Sequence, residues 1–286
     1  MRFKLIAIVL FIVLLAALYF LPECMADVEN IIEIDSFEAL AAFSDAVALG
    51  DLTGAHVRLT ADIVAERPLR PIGTPRHMFS GTFDGQGFTI SRLIVLNPRG
   101  NAGLFGCIAP EGVVKNVTIE KACVIGTAYV GGVAGYSAGR IKACRLIDGK
   151  IMNSSNIMHG VASGGIAGLA SGRIYRCSAL NCTVSGPYDV GGIVGAFHVG
   201  VMRLCAFEGS VSCTTKQGLR GGLAGSLHGG ARMRFCVGCC DRIKEYPAIG
   251  GAFSGSGAMG CLFTADDTPP FLRRLITILA AKKAVT

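Results

Sequence analysis

Tryptophan is absent from the sequence, aromatic residues make up 7% of it and charged residues 16%. Ordinary globular domains carry about a quarter charged residues. So little charge beside 51% hydrophobic residues excludes an intrinsically disordered chain. Several catalytic signatures are missing too. There is no His-Glu-x-x-His pair, which excludes a helical zinc-peptidase site. Gly135-Tyr-Ser-Ala-Gly139 spells Gly-x-Ser-x-Gly, but it lies inside a repeat and, like Gly255-Ser-Gly257, lacks the strand–helix setting that would expose a nucleophile. Acids in the repeating region are few and scattered: Asp84, Glu111, Glu120, Asp148, Asp189, Glu208, Asp241 and Glu245. Sugar-cleaving chemistry needs paired carboxylates, and none recur at matching repeat positions. No catalytic residue and no cofactor site is assigned. A polysaccharide lyase or hydrolase built on a β-helix is the enzyme alternative.

Glycine, by contrast, is abundant, with 39 residues and no collagen-type period. That density calls for many tight turns. The net charge is +7. Residues 1–26 open with Arg2 and Lys4, run apolar from Leu5 to Leu21 and end with Pro22, Cys24 and Ala26. This is the layout of a signal peptide cleaved after Ala26. An uncleaved anchor through residues 5–21 is the alternative, at the lower edge of a membrane span. A lipoprotein signal at Cys24 fits poorly after Pro22-Glu23. The expected location is therefore secreted or cell surface, or else membrane-anchored by this segment.

Residues 27–102 are expected to form an N-terminal cap and the first coils. Asp35-Ser-Phe-Glu38 reads as a capping box with Asp35 as N-cap, and Gly50 as the stop, giving a helix over 36–49. Short apolar runs at His56–Leu59, Ile63–Val64 and Ile72 read as strands, and Asp84-Gly85-Gln86-Gly87 as a turn.

Residues 103–265 repeat. A glycine box recurs at Gly103–Gly106, Gly132–Gly135, Gly165–Gly168, Gly192–Gly195 and Gly222–Gly225, with a degenerate sixth copy at Gly251–Ser254. Successive first glycines lie 29, 33, 27, 30 and 29 residues apart. A second box follows each time, as in Gly139-Arg-Ile-Lys-Ala-Cys144 and Gly172-Arg-Ile-Tyr-Arg-Cys177. No single copy can bury its apolar face, so copies must stack, strand on strand, roughly 4.8 Å apart. The expected fold is all-β, a right-handed parallel β-helix. Residues 266–286 follow Pro269-Pro270 as an amphipathic helix, expected to cap the last coil or to lie on a membrane surface.

The boxes Gly131-Gly-Val-Ala-Gly135, Gly164-Gly-Ile-Ala-Gly168 and Gly221-Gly-Leu-Ala-Gly225, with their Gly-Arg-Ile-x-x-Cys sequels, resemble the GLUG motif of bacterial surface proteins. Pro71-Ile-Gly73 and Phe79–Gly87 resemble the segment that leads into GLUG arrays. The resemblance spans about residues 31–263. It implies a β-solenoid on a secreted or surface-attached protein, often adhesin-like or flanking a peptidase, and says nothing of activity.

Stacking makes two further expectations. Cys144, Cys177, Cys205, Cys236 and Cys261 should form an inward ladder, continued from Val117, beside a second ladder of Val114, Ile141, Ile174, Met202 and Met233. Buried thiols are expected there; an odd set of five equivalent cysteines cannot pair fully. A disulfide framework stays open as the alternative, since adjacent strands lie within bridging distance. Cys236-Val-Gly-Cys239-Cys240 with His228 has no second Cys-x-x-Cys and no well-spaced ligand set, so no metal is assigned. Strand alternation points Arg140, Lys142, Arg173, Arg203, Arg232 and Arg234 outward as a basic stripe. Such a stripe suits an anionic glycan or envelope polymer; a host or cell-surface protein is the other partner class, and nucleic acid is disfavoured. A merely solvated face is the simpler alternative. Aromatic platforms for sugar rings are few: Tyr129, Tyr136, Tyr175, Tyr188 and Tyr246.

Overall fold

The computed structural model describes residues 31–157, 160–240, 249–252, 256–259 and 261–264. The expected export segment 1–26 and C-terminal helix 266–286 lie outside the described residues. By contacts the chain divides after Ile31, and the fold described below is that of the second unit, Ile32–Thr286.

That unit is a right-handed parallel β-solenoid of about seven turns. A regular coil is laid down in five short strands, seen in one copy as Tyr129–Gly131, Ala134–Ser137, Arg140–Lys142, Arg145–Ile147 and Lys150–Asn153. Each strand pairs in parallel with its equivalent in the coils before and after. The glycine-box strands alone form a six-stranded sheet, Phe105–Ile108, Ala134–Ser137, Ala167–Ala170, Val194–Phe197, Ala224–Leu227 and Ile249–Ala252. Register is set by burial: a one-residue slip would turn every inward side chain outward.

Two inward columns carry the expected ladders. Val114, Ile141, Ile174, Met202 and Met233 are successive register partners, and all are buried. Three residues on, Val117, Cys144, Cys177, Cys205 and Cys236 are buried as well. The two columns flank a corner at which Asn116, Ala143, Arg176, Leu204 and Phe235 all take left-handed backbone, with φ of 52–56°. A single left-handed residue turns the chain sharply enough for the columns on either side of the corner both to face the core.

Box glycines let two layers of backbone touch. A Cβ on Gly168 would lie 2.4 Å from the Val130 nitrogen, and one on Gly195 would lie 2.5 Å from the Ser163 nitrogen. The short-strand sheet thus packs on the box sheet with no side chain between them.

The cap helix spans Phe37–Leu49. Its N-cap is Ser36, not Asp35: the Ser36 Oγ accepts from the Ala39 N–H at 3.4 Å. Gly50, at φ 103°, ends it as expected. The helix sets Phe43 against Phe79, which meets Phe105, which in turn meets Phe83, with ring centroids 5.2–6.1 Å apart. This aromatic plug closes the core at its first coil. A second difference concerns the sixth glycine box. Ile249 pairs with Ala224 and Gly251 with Ser226, which sets Gly250 opposite Gly225. The box therefore ends at Gly250, four residues earlier than the sequence motif suggested. From Gly250 the usual spacing holds, so that Ala258 is the partner of Met233 and Cys261 follows at the ladder spacing.

Candidate functional site

The second-box strands build one flat sheet whose outer face bears the stripe. Arg140 pairs with Arg173, Arg173 with Val201 and Val201 with Arg232. The parallel column runs Lys142, Tyr175, Arg203, Arg234. All six cations named from the sequence are exposed. Val201 and Tyr175 each interrupt one column, which spacing alone had left open. Arg176 adds a seventh cation from the left-handed corner, its guanidinium 5.3 Å from the Tyr175 ring centroid. Arg203 lies 5.9 Å from the Phe235 ring centroid in the same way. Such stacking holds a planar guanidinium in place while its edge stays available to an anion.

Charge along the Lys142 column changes character from one end to the other. In the first coils Glu33 pairs with Arg58, and Asp84 with Lys115 at 3.0 Å. Burial pushes the Asp84 carboxyl up, but the Gln86 N–H, Lys115 and Asn116 outweigh it and hold it below its ordinary value. From Lys142 onward the column has no acid. Among the described residues, none of the six stripe cations forms an ion pair. Like charges on adjacent strands repel by up to about 1 kcal/mol per pair even in water.

Among the described residues the carboxylates do not gather. The register partners of Asp84 are Arg58 and Lys115, those of Glu120 are Ser91 and Ile147, and Glu208 faces Cys239. Asp148 accepts from the Asn181 carboxamide at 2.6 Å. Asp241, Glu245 and Tyr246 lie outside the described residues.

The ladder sulfurs are in contact along their column. Each thiol of Cys144, Cys177, Cys205 and Cys236 donates to the carbonyl two residues before it, at 3.4–3.5 Å. Cys261, half-buried, does the same toward Met259 at 3.7 Å. These five carry no disulfide. Burial, with the neighbouring Cys177 sulfur, drives Cys144 and Cys205 well above the usual thiol range, and burial takes Cys182 up to about 12. Cys236 and Cys239 pack into separate apolar clusters, so the Cys-x-x-Cys spacing does not converge. Among the described residues no three metal-ligating side chains cluster.

Two features escaped the sequence reading. His198 and His228 stack on neighbouring coils, ring centroids 4.4 Å apart. Tyr129 and Tyr136 form an outer pair at 6.3 Å against Ala162, Leu169 and Ala196. Both sit just outside the glycine box, at positions where other copies carry unrelated residues.

The fold has a solved counterpart. It is similar to a crystal structure of a Bacteroides ovatus protein named as a candidate immunoglobulin A1 protease, with a TM-score of 0.66 and 21% identity. The similarity covers 82% of this chain and 77% of that one, and at this identity it is a likeness of fold. In an alignment 98 positions long that covers 30% of this chain, it is 37% identical to Halomucin of Haloquadratum walsbyi. It spans about 1% of that relative's length. No family model matches the chain.

Proposed function

We propose that this chain is a GLUG-type solenoid of a secreted or surface-displayed protein, and that its second-box face binds an anionic polymer, a glycan or envelope polymer, without catalysing a reaction on it. The supporting observation is the switch in charge along one column. The first coils neutralise their cations with Glu33 and Asp84, whereas the coils from Arg140 to Arg234 leave theirs uncompensated. A face that only needed solubility would gain from alternating signs, as the first coils have. An extended row of cations suits a partner that is itself extended and charged. The segment 1–26 and the local match to Halomucin fit an exported setting.

Retention on an immobilised anionic polysaccharide tests the reading. The protein should elute at a salt concentration well above that of the Arg140→Gln/Arg173→Gln/Arg232→Gln variant, with binding lost as salt rises. Equal elution of the two proteins, with the variant folded by circular dichroism, would refute it.

A further inference from the structure

A concave site lies apart from the basic face. The loop 68–75, leading from the cap into the first glycine-box coil, and the turn 96–101 enclose a cavity of about 440 Å³. That is the size of a small-ligand site. Its walls are fixed by the backbone. Leu69 N–H donates to Ile94 at 2.8 Å, Ile72 N–H to Leu104 at 2.9 Å, and Gly106 N–H to Ile72 at 2.8 Å. Across the cavity, the Asn97 carboxamide donates to the Asn101 carbonyl at 2.8 Å. The Gly100 carbonyl accepts from both Thr127 and Ala128. Little needs to be ordered when a ligand enters, which favours binding.

The lining is divided by chemistry. Pro68, Pro71 and Leu96 supply apolar surface, and Leu96 is 51% exposed. Arg70, Arg99, Asn97 and Asn101 supply donors, and no acid lines the cavity. Asp45 holds Arg70 at 3.2 Å, while Arg99 forms no ion pair among the described residues. The Asn101 side chain ties the cavity wall to the next coil. The Asn101 carboxamide oxygen accepts from the Tyr129 N–H at 3.2 Å, and its nitrogen donates to Cys107 Sγ at 3.1 Å. Cys107 is in turn the register partner of Tyr136.

We infer that this cleft is a binding site for an acidic sugar of the uronate class. The Arg99 guanidinium takes the ring carboxylate, the Asn97 carboxamide oxygen meets a hydroxyl, and Pro68 and Leu96 take the apolar face of the ring. Tyr129 and Tyr136 receive the next sugar of a chain. An exposed guanidinium without a carboxylate partner matches a planar anion, and the apolar wall distinguishes a sugar from a bare inorganic ion. The inference does not rest on the basic face.

Calorimetric titration of the full chain with trigalacturonate, and with its methyl ester, tests the assignment. The acid should bind about tenfold or more tightly than the ester. Arg99→Ala should remove that preference, and Leu96→Ala should weaken both ligands about threefold. Both residues are exposed, so neither change threatens folding. The triple variant of the basic face should bind the trisaccharide as the unaltered protein does, which separates this site from that one. Three results would each overturn the proposal: no binding at millimolar trisaccharide, equal affinity for acid and ester, or loss of binding in the basic-face variant with Arg99→Ala unaffected.

Discussion

His198 and His228 occupy the same position on neighbouring coils, with the His228 Nε2 3.1 Å from the Ser226 hydroxyl. Burial lowers the basicity of both rings, and at His198 the facing His228 adds to the effect. A histidine whose folded pKa lies below its unfolded value stabilises the fold when neutral. That contribution is complete above the unfolded value near 6.5 and is lost as pH falls through the folded value. Thermal unfolding should therefore shift to lower temperature between about pH 7 and pH 5. The His198→Gln/His228→Gln protein should show a flatter profile across that window. Parallel profiles for the two proteins would count against the stacked pair.

Ala143 sits in left-handed backbone at φ 53°. That conformation costs an ordinary L residue about 1–2 kcal/mol, which glycine escapes at the expense of greater freedom when unfolded. Ala143→Gly should stabilise the protein by about 0.5–1 kcal/mol in urea denaturation. Asn116→Gly should gain nothing, because asparagine tolerates this region and its carboxamide donates to Asp84 at 3.0 Å. Destabilisation by Ala143→Gly would contradict the corner geometry.

Gly168 and Gly192 should tolerate no side chain. The Gly192 Cβ would meet the Gly222 oxygen at 2.1 Å and the Phe207 ring at 2.3 Å. Neither backbone nor a buried ring can yield cheaply, so Gly192→Ala should cost about 3 kcal/mol or more, read by denaturant midpoint. An unchanged midpoint for Gly168→Ala would show that the two sheets are not in backbone contact, and one for Gly192→Ala that neighbouring boxes are not.

The ladder thiols should be hidden until the protein unfolds. Cys144, Cys177, Cys205 and Cys236 are each no more than 1% exposed. Iodoacetamide should leave them unmodified natively, reach Cys261 slowly, and alkylate all five in denaturant without reductant, as peptide mapping would report. Ladder peptides still unlabelled in denaturant would reveal disulfides instead.

The stacking was legible in the sequence because inward positions recur with little variety: Ile141, Ile174, Met202 and Met233 differ in shape but not in character. The corner before the cysteines was not legible, since Ala143, Arg176, Leu204 and Phe235 share no chemistry that signals left-handed backbone. The N-cap fell on Ser36 because either hydroxyl or carboxylate can cap, and tertiary packing of Phe37 and Phe43 sets the helix start. In the candidate binding face, all six cations could be placed outward by alternation. The neutralisation of Lys115 in the first coils could not be read there, because Lys115 and Asp84 meet through register and not through proximity in sequence. The cleft was invisible for a related reason. Its walls, 68–75 and 96–101, come from stretches that belong to no repeat.

Every hydrogen bond between coils runs along the direction in which the coils stack. A pull in that direction falls on one seam of backbone bonds at a time, not on many sheared together. A surface-displayed stack under flow or traction would lengthen in steps, shedding a coil's worth of chain per event while the remaining coils hold their register. In the proposed surface setting such a stack would act as a tether that yields gradually, with the exposed cations of each surviving coil kept in register.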